Sequence, residues 1–258
     1  MTSASASTVY LWDLVYELVG RDMKVRYRRS ALGILWSLLN PLAYLVVLVF
    51  VFQSVAPLNI PNYPLFTFTG VLAWGWFSSA LPAATNSITS NRELIRQPGF
   101  PSAILPVVPV VSSLVHFSIA MTLVIVTLLI AQHGLSVTVI ALPLVVSLQF
   151  LVTLSIGYIT ATIQVRFRDT AHLLGTLMLL GFFITPVFYR PGLLPARYQL
   201  FYSVNPMAQL IGAYRDILLD GRWPDFFALL VLGGISAVAL WLGHRLFTRM
   251  SMSFAEDI

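Results

Sequence analysis

Cysteine is absent from the 258-residue chain. Disulfide staples and thiolate metal sites are thereby excluded, and the redox compartment cannot be read. Charge is scarce as well: 10% of residues are Asp, Glu, Lys or Arg, against 58% hydrophobic. Soluble domains carry roughly a quarter charged residues, so this chain could not cover its own surface against water. A membrane is the solvent that fits, and the length is better counted in spans of about 20 residues. The G-x-x-x-x-G-K-[ST] phosphate loop is missing, which excludes ATP hydrolysis by that route. H-E-x-x-H, G-x-S-x-G and paired carboxylates within the apolar runs are missing too. Ion-coupled transporters need ionisable residues at membrane depth, and here they reduce to His116. If the chain pumps, another polypeptide supplies the energy. The start, "MTSASASTVYLWDLVYEL", lacks a basic region ahead of an apolar core. No cleavable signal peptide is expected, and the first span should serve as a signal anchor.

What the chain does have is a series of apolar runs with short polar breaks. Residues 8–29 read as an amphipathic helix lying in the membrane interface. Asp13, Glu17, Arg21, Lys24 and Arg28 share one face at spacings of four and three, and Leu11, Trp12, Val15, Leu18, Val19 and Met23 fill the other. Glu17 and Arg21 are placed for an i,i+4 pair. Spans are predicted at 31–53, 65–88, 103–130, 137–164, 173–189 and 226–246. The stretch 190–224 is too polar to cross. Within it "NPMAQLIGAYRDILLDG" predicts a re-entrant or interfacial helix, with Asn205 as N-cap, Pro206 in the first turn and Gly221 at the exit. Its apolar stripe is Met207, Leu210, Ile211, Tyr214, Ile217 and Leu218. The fold class is therefore all-α integral membrane with six transmembrane helices. Net charge is +5, and eleven of the fifteen Lys and Arg fall on the side that holds both termini, with Arg190, Arg197, Arg215 and Arg222 opposite. The positive-inside rule then places both termini in the cytoplasm. The basic residues sit beside apolar runs and form no separate basic domain, which excludes nucleic acid as a partner.

Three groups of residues are candidates for function. Ser112 and His116 stand one turn apart, an arrangement open to a nucleophile and base or to interhelical hydrogen bonding. In "TSNRELIRQPGFP", Ser90 and Glu93 fit a capping box and Leu94 and Ile95 follow as exposed aliphatics. Both a docking helix for a cytoplasmic subunit and a tight loop fit that stretch. Trp74 and Trp76 lie several residues inside their span, where aromatic faces can line a cavity and stack on sugars; Tyr44 and Phe77 join them as channel-lining candidates.

The chain resembles the permease subunits of ABC exporters for bacterial polysaccharides. The resemblance rests on "RDMKVRYRRSALGILWSLLNPL", "NRELIRQPGFP", "VRFRDTAHLLGTLMLLGFFITPVFY" and "NPMAQLIGAYRDILL", in that order across nearly the whole length. It implies a type-2 exporter fold, a homodimer, and two copies of a separate ATPase that holds the ATP and Mg, with no cofactor on this chain. It implies a lipid-linked glycan as cargo, of O-antigen, capsule or teichoic-acid type, and residence in the bacterial cytoplasmic membrane. Arg26, Arg28 and Arg29 would guide an anionic lipid headgroup, although plain positive-inside anchoring explains them equally. Asn91, Arg92, Glu93, Leu94, Ile95 and Arg96, within 91–97, would form the helix that couples to the ATPase. A permease of the same fold exporting a drug or lipid is the alternative, and an integral-membrane enzyme built around Ser112 and His116 is a third reading.

Overall fold

The computed structural model describes residues 2–28, 30, 32–132, 136–193, 197, 199–251 and 254. Arg29, Ala31 and residues 194–196 and 198 of the 190–224 stretch lie outside that set. All regular structure among the described residues is helical, as an apolar solvent requires of open-ended backbone. The α-helices are α1 (Thr2–Tyr27), α2 (Trp36–Val49), α3 (Tyr63–Asn86), α4 (Arg92–Ile95), α5 (Val107–Gln132), α6 (Leu142–Arg166), α7 (Thr170–Ile184), α8 (Gln199–Val204), α9 (Pro206–Leu218) and α10 (Phe226–Met250). A π-helical turn, Phe50–Val55, extends α2 despite Pro41 inside it.

Length and hydropathy qualify four stretches to cross a membrane: Trp36–Val55, Ser102–Ile130, Val137–Arg166 and Phe226–Met250. The expected spans at 65–88 and 173–189 correspond to α3 and α7, which do not meet both criteria. The reasons differ. α7 has 15 residues and reaches only about 22 Å. α3 has 24 residues and is long enough, but it is the central helix, packed by α2, α5, α6, α7 and α9. Most of its side chains touch protein rather than lipid, so it tolerates Thr, Gly and Ser that a lipid-facing helix would shed. α10 shows the opposite pattern: Phe227, Leu230, Ile235 and Val238 stand exposed while Leu229, Leu232 and Phe247 turn inward toward α6.

Polar ties hold α3 to α6. Gln149 Nε2 donates to Ala73 O at 2.7 Å, and the Thr85 and Thr160 hydroxyls meet at 2.7 Å. Such interhelical bonds contribute about 0.6 kcal/mol each in membranes. Two glycines permit close approach. A Cβ on Gly181 would stand 2.8 Å from the Trp74 ring, and one on Gly70 would stand 2.3 Å from Val187 O.

α9 begins as its sequence implies: Asn205 Oδ1 accepts from the backbone N–H groups of Met207 and Ala208, and the six-residue apolar stripe is buried. Arg215 is buried with it. Its guanidinium donates to the carbonyls of Phe66, Pro186 (2.7 Å) and Val187 (2.5 Å) and lies 3.5 Å from the Phe66 ring centroid. Burial, helped by Arg190, draws its pKa down to about 9, so it stays charged at neutral pH. This side chain joins α9 to the start of α3 and to the non-helical segment after α7.

Candidate functional site

A cavity of about 530 Å³ opens where the end of α1 meets α2, α3 and α5. α1 contributes Arg26 and Tyr27. α2 contributes Trp36, Asn40 and Tyr44, which recur every four residues and therefore share a face. α3 adds Gly75, Trp76, Ser78 and Ser79, and α5 adds Ser113, His116 and Phe117. Hydroxyls dominate the polar lining, and Arg26 is its one charged side chain among the described residues. The Tyr27 hydroxyl hydrogen-bonds His116 Nδ1 at 3.1 Å, with the rings edge-on. Burial pushes the Tyr27 phenol up against the pull of Arg26.

The residues singled out in sequence separate here. Arg26 lines the cavity and pairs loosely with Asp22 at 3.7 Å. Arg28 is exposed just past α1 and is not in the lining; Arg29 is outside the described residues. Tyr44 lines the cavity and is 62% exposed. Trp76 reaches the lining but is 3% exposed, because its indole N–H donates to Val110 O and its face stacks on Phe117 at 4.9 Å. Trp74 and Phe77 are buried within the chain, Trp74 against Gly181 and Phe182. Core packing within the single chain has taken up most of their faces. The open aromatic faces are Tyr44 and Trp36, the latter 46% exposed. Trp36 was missed because it stands at the edge of its span, although the i, i+4, i+8 row with Asn40 and Tyr44 was legible.

Four local readings are also revised. The Ser90–Glu93 capping box does not form. α4 starts after Asn91, whose side chain makes no cap and instead donates back to Ser87 O at 2.8 Å. Leu94 and Ile95 are half-buried rather than exposed; Leu94 packs against Leu18 of α1 and Ile104 and Val108. Arg92, Glu93 and Arg96 face outward. The Glu17–Arg21 pair is replaced by a bond from Arg21 Nη2 to Asn91 Oδ1 at 2.9 Å. α1 and the α4 segment are thus joined by one hydrogen bond and a small apolar cluster. Finally, His116 turns to Tyr27 while Ser112 Oγ is buried without a hydrogen-bond partner, so the nucleophile–base pair is not assembled.

A second cavity of about 290 Å³ lies at the other end, lined by Arg190, Arg215, Asp216 and Asp220 with Gly192 and Gly212. Burial and the neighbouring Asp220 raise the Asp216 carboxyl above its ordinary range, with Arg222 opposing.

The described chain is thus an all-helical, apolar bundle with a cavity of mixed polar and apolar lining at the end of α1. The family model for ABC-2 type transporters matches residues 13–219, and the chain belongs to that family. The O-antigen export system permease protein RfbA of Myxococcus xanthus is 37% identical over 247 residues, covering 95% of each chain. The protein of the same name from Klebsiella pneumoniae is 30% identical over 249 residues, covering 96% of this chain and 95% of that one. The polysialic acid transport protein KpsM of Escherichia coli is 22% identical over 230 residues, covering 88% and 89%.

Proposed function

We propose that this chain is the membrane permease of an ATP-driven exporter that carries a lipid-linked polysaccharide, of O-antigen, capsule or teichoic-acid type, across the bacterial cytoplasmic membrane. It is the transport subunit. ATP and Mg act on two copies of a separate ATPase, and two copies of this chain enclose the path. The observation that carries the reading is the cavity. One cation, a ring of hydroxyls and two open aromatic faces meet between otherwise apolar helices. Arg suits phosphate oxygens through its planar fork, the hydroxyls suit sugar hydroxyls, and Tyr44 and Trp36 offer flat apolar faces to a pyranose. The relatives named for O-antigen export and polysialic acid transport support that cargo.

In the same reading the chain crosses six times, with α3 and α7 counted among the crossings and both termini cytoplasmic. α8 and α9 are re-entrant on the outer side. The α4 segment meets the ATPase through Arg92, Glu93 and Arg96, and its inward contacts pass the movement to α1. Complementation tests the proposal. In a strain lacking this chain, wild type should restore surface polysaccharide, whereas Arg26→Gln combined with Tyr44→Ala should insert normally and leave the glycan inside the cell. Surface polysaccharide that is unchanged by deleting the chain contradicts the reading.

A further inference from the structure

We infer that Ser113 and His116, carried into the cavity by α5, form with Arg26 and Tyr27 a subsite for the phosphate groups of a phosphorylated lipid. The inference rests on the reading of the cavity as the access point for a lipid-linked glycan and extends it to two residues inside the apolar bundle. Neither belongs to the basic segment at the end of α1.

Ser113 and His116 are three apart on α5 and so lie on one face. Both line the cavity. Serine and threonine hydroxyls elsewhere on this helix bond back to the preceding turn, as Ser118 does to Leu114 O and Thr122 to Ser118 O. Ser113 does not: it is 1% exposed, and its Oγ has no hydrogen-bond partner within the chain. Ser112 shares that lack but does not line the cavity. A buried hydroxyl left unpaired is costly, and one that borders a cavity is relieved by an acceptor that enters it.

His116 is held from the side. The Tyr27 hydroxyl lies 3.1 Å from Nδ1 and 3.4 Å from Nε2. It engages one ring nitrogen at a time and leaves the other for a ligand. Arg26 supplies the charge. Its 3.7 Å separation from Asp22 is well beyond the roughly 2.7–2.9 Å of a charge-assisted hydrogen bond, so the guanidinium can turn to a better partner. No carboxylate lines the cavity among the described residues; Asp22, which pairs with Arg26 at 3.7 Å, lies outside the lining. A hydroxyl, an imidazole, a phenol and a guanidinium around one space match an oxyanion with several acceptor oxygens. The competing role for the pair Tyr27 and His116 is a plain tie between α1 and α5.

Binding to the full-length chain in detergent separates these roles, with farnesyl diphosphate, farnesol and inorganic pyrophosphate as probes. Wild type should bind farnesyl diphosphate at least tenfold tighter than farnesol. His116→Leu and Ser113→Ala should each weaken the diphosphate about tenfold, the loss of one hydrogen bond to a charged group, and leave farnesol unchanged. His116→Gln keeps a donor and an acceptor and should recover most of the affinity. Inorganic pyrophosphate should bind more weakly than the lipid diphosphate; equal affinity would support the subsite and assign it to a soluble anion. If Arg26→Gln loses diphosphate binding but His116→Leu and Ser113→Ala match wild type, the subsite is wrong and the access reading stands. If diphosphate and farnesol weaken together, the two residues serve packing and the inference is overturned. A wild-type chain that does not distinguish diphosphate from farnesol overturns both. Ser113→Ala removes one oxygen atom and keeps the test readable if His116→Leu fails to fold.

Discussion

Replacing Arg215 with methionine keeps most of the side-chain volume and removes the guanidinium that links α9, α3 and the non-helical segment after α7. The carbonyls of Pro186 and Val187 lie outside any helix and lose this donor. A buried acceptor left without a donor costs about 1–3 kcal/mol, so the two together cost about 2–6 kcal/mol. Losing the contact over the Phe66 ring adds about 1–2 kcal/mol. Against this, a buried guanidinium with no carboxylate at bonding distance carries a desolvation cost of several kcal/mol, which methionine does not. With mid-range losses of about 5–6 kcal/mol and about 2–3 kcal/mol of relieved desolvation, the net destabilisation is about 2–4 kcal/mol. At about 2–4 °C per kcal/mol for a chain of this size, the thermal midpoint in detergent, followed by tryptophan fluorescence, should fall by about 5–15 °C. Gly70→Ala should fall as well, because its Cβ would stand 2.3 Å from Val187 O and 2.7 Å from Arg215 Nη2. The double variant should fall by less than the sum, since both changes break one shared contact. A midpoint for Arg215→Met within about 2 °C of wild type refutes the reasoning.

Other outcomes follow from the same packing. Trp36→Ala and Tyr44→Ala should lower export with little loss of stability. Trp74→Ala should instead cost about 3–5 kcal/mol, as buried large-to-small changes do, and a Trp74→Ala variant as stable as wild type contradicts its place in the core. Charge reversal at Arg92 and Arg96 should abolish co-purification with the ATPase and leave the thermal midpoint unchanged. Leu94→Asp should lower the midpoint, because Leu94 packs toward α1; full stability in that variant contradicts the contact. On this cysteine-free chain, a cysteine at Asn62 should label only from outside and one at Glu93 only from the cytoplasm. The reverse pattern overturns the topology.

Helices were legible wherever apolar runs were long and uninterrupted, because in lipid the backbone has few alternatives. Asn205 and its buried stripe were legible for a local reason, a cap followed by a 3.6-residue period. Arg215 shows where local reading ends. Positions 211, 215 and 218 share a face, so its burial was encoded, but the charge placed it at a polar surface. What overrides that preference is a set of carbonyls from Phe66, Pro186 and Val187, brought together only by the tertiary fold. The same limit separates Trp74 from Tyr44. Both are aromatic residues at depth, yet Gly181 and Phe182 close over one ring while the other stays open. The Ser90 capping box did not form because α4 starts one residue later, with Asn91 in the cap position and its side chain tied to Ser87 and the distant Arg21.

Export itself is the most direct test. Inverted membrane vesicles containing this chain and its ATPase would be given ATP and a lipid-linked glycan from outside, the cytoplasmic face in that orientation. The glycan should become protected from an added glycosidase, only with ATP, and Arg26→Gln with Tyr44→Ala should remove that protection. Protection that is independent of ATP, or a glycan that stays fully accessible while a drug or free phospholipid is moved instead, contradicts the account.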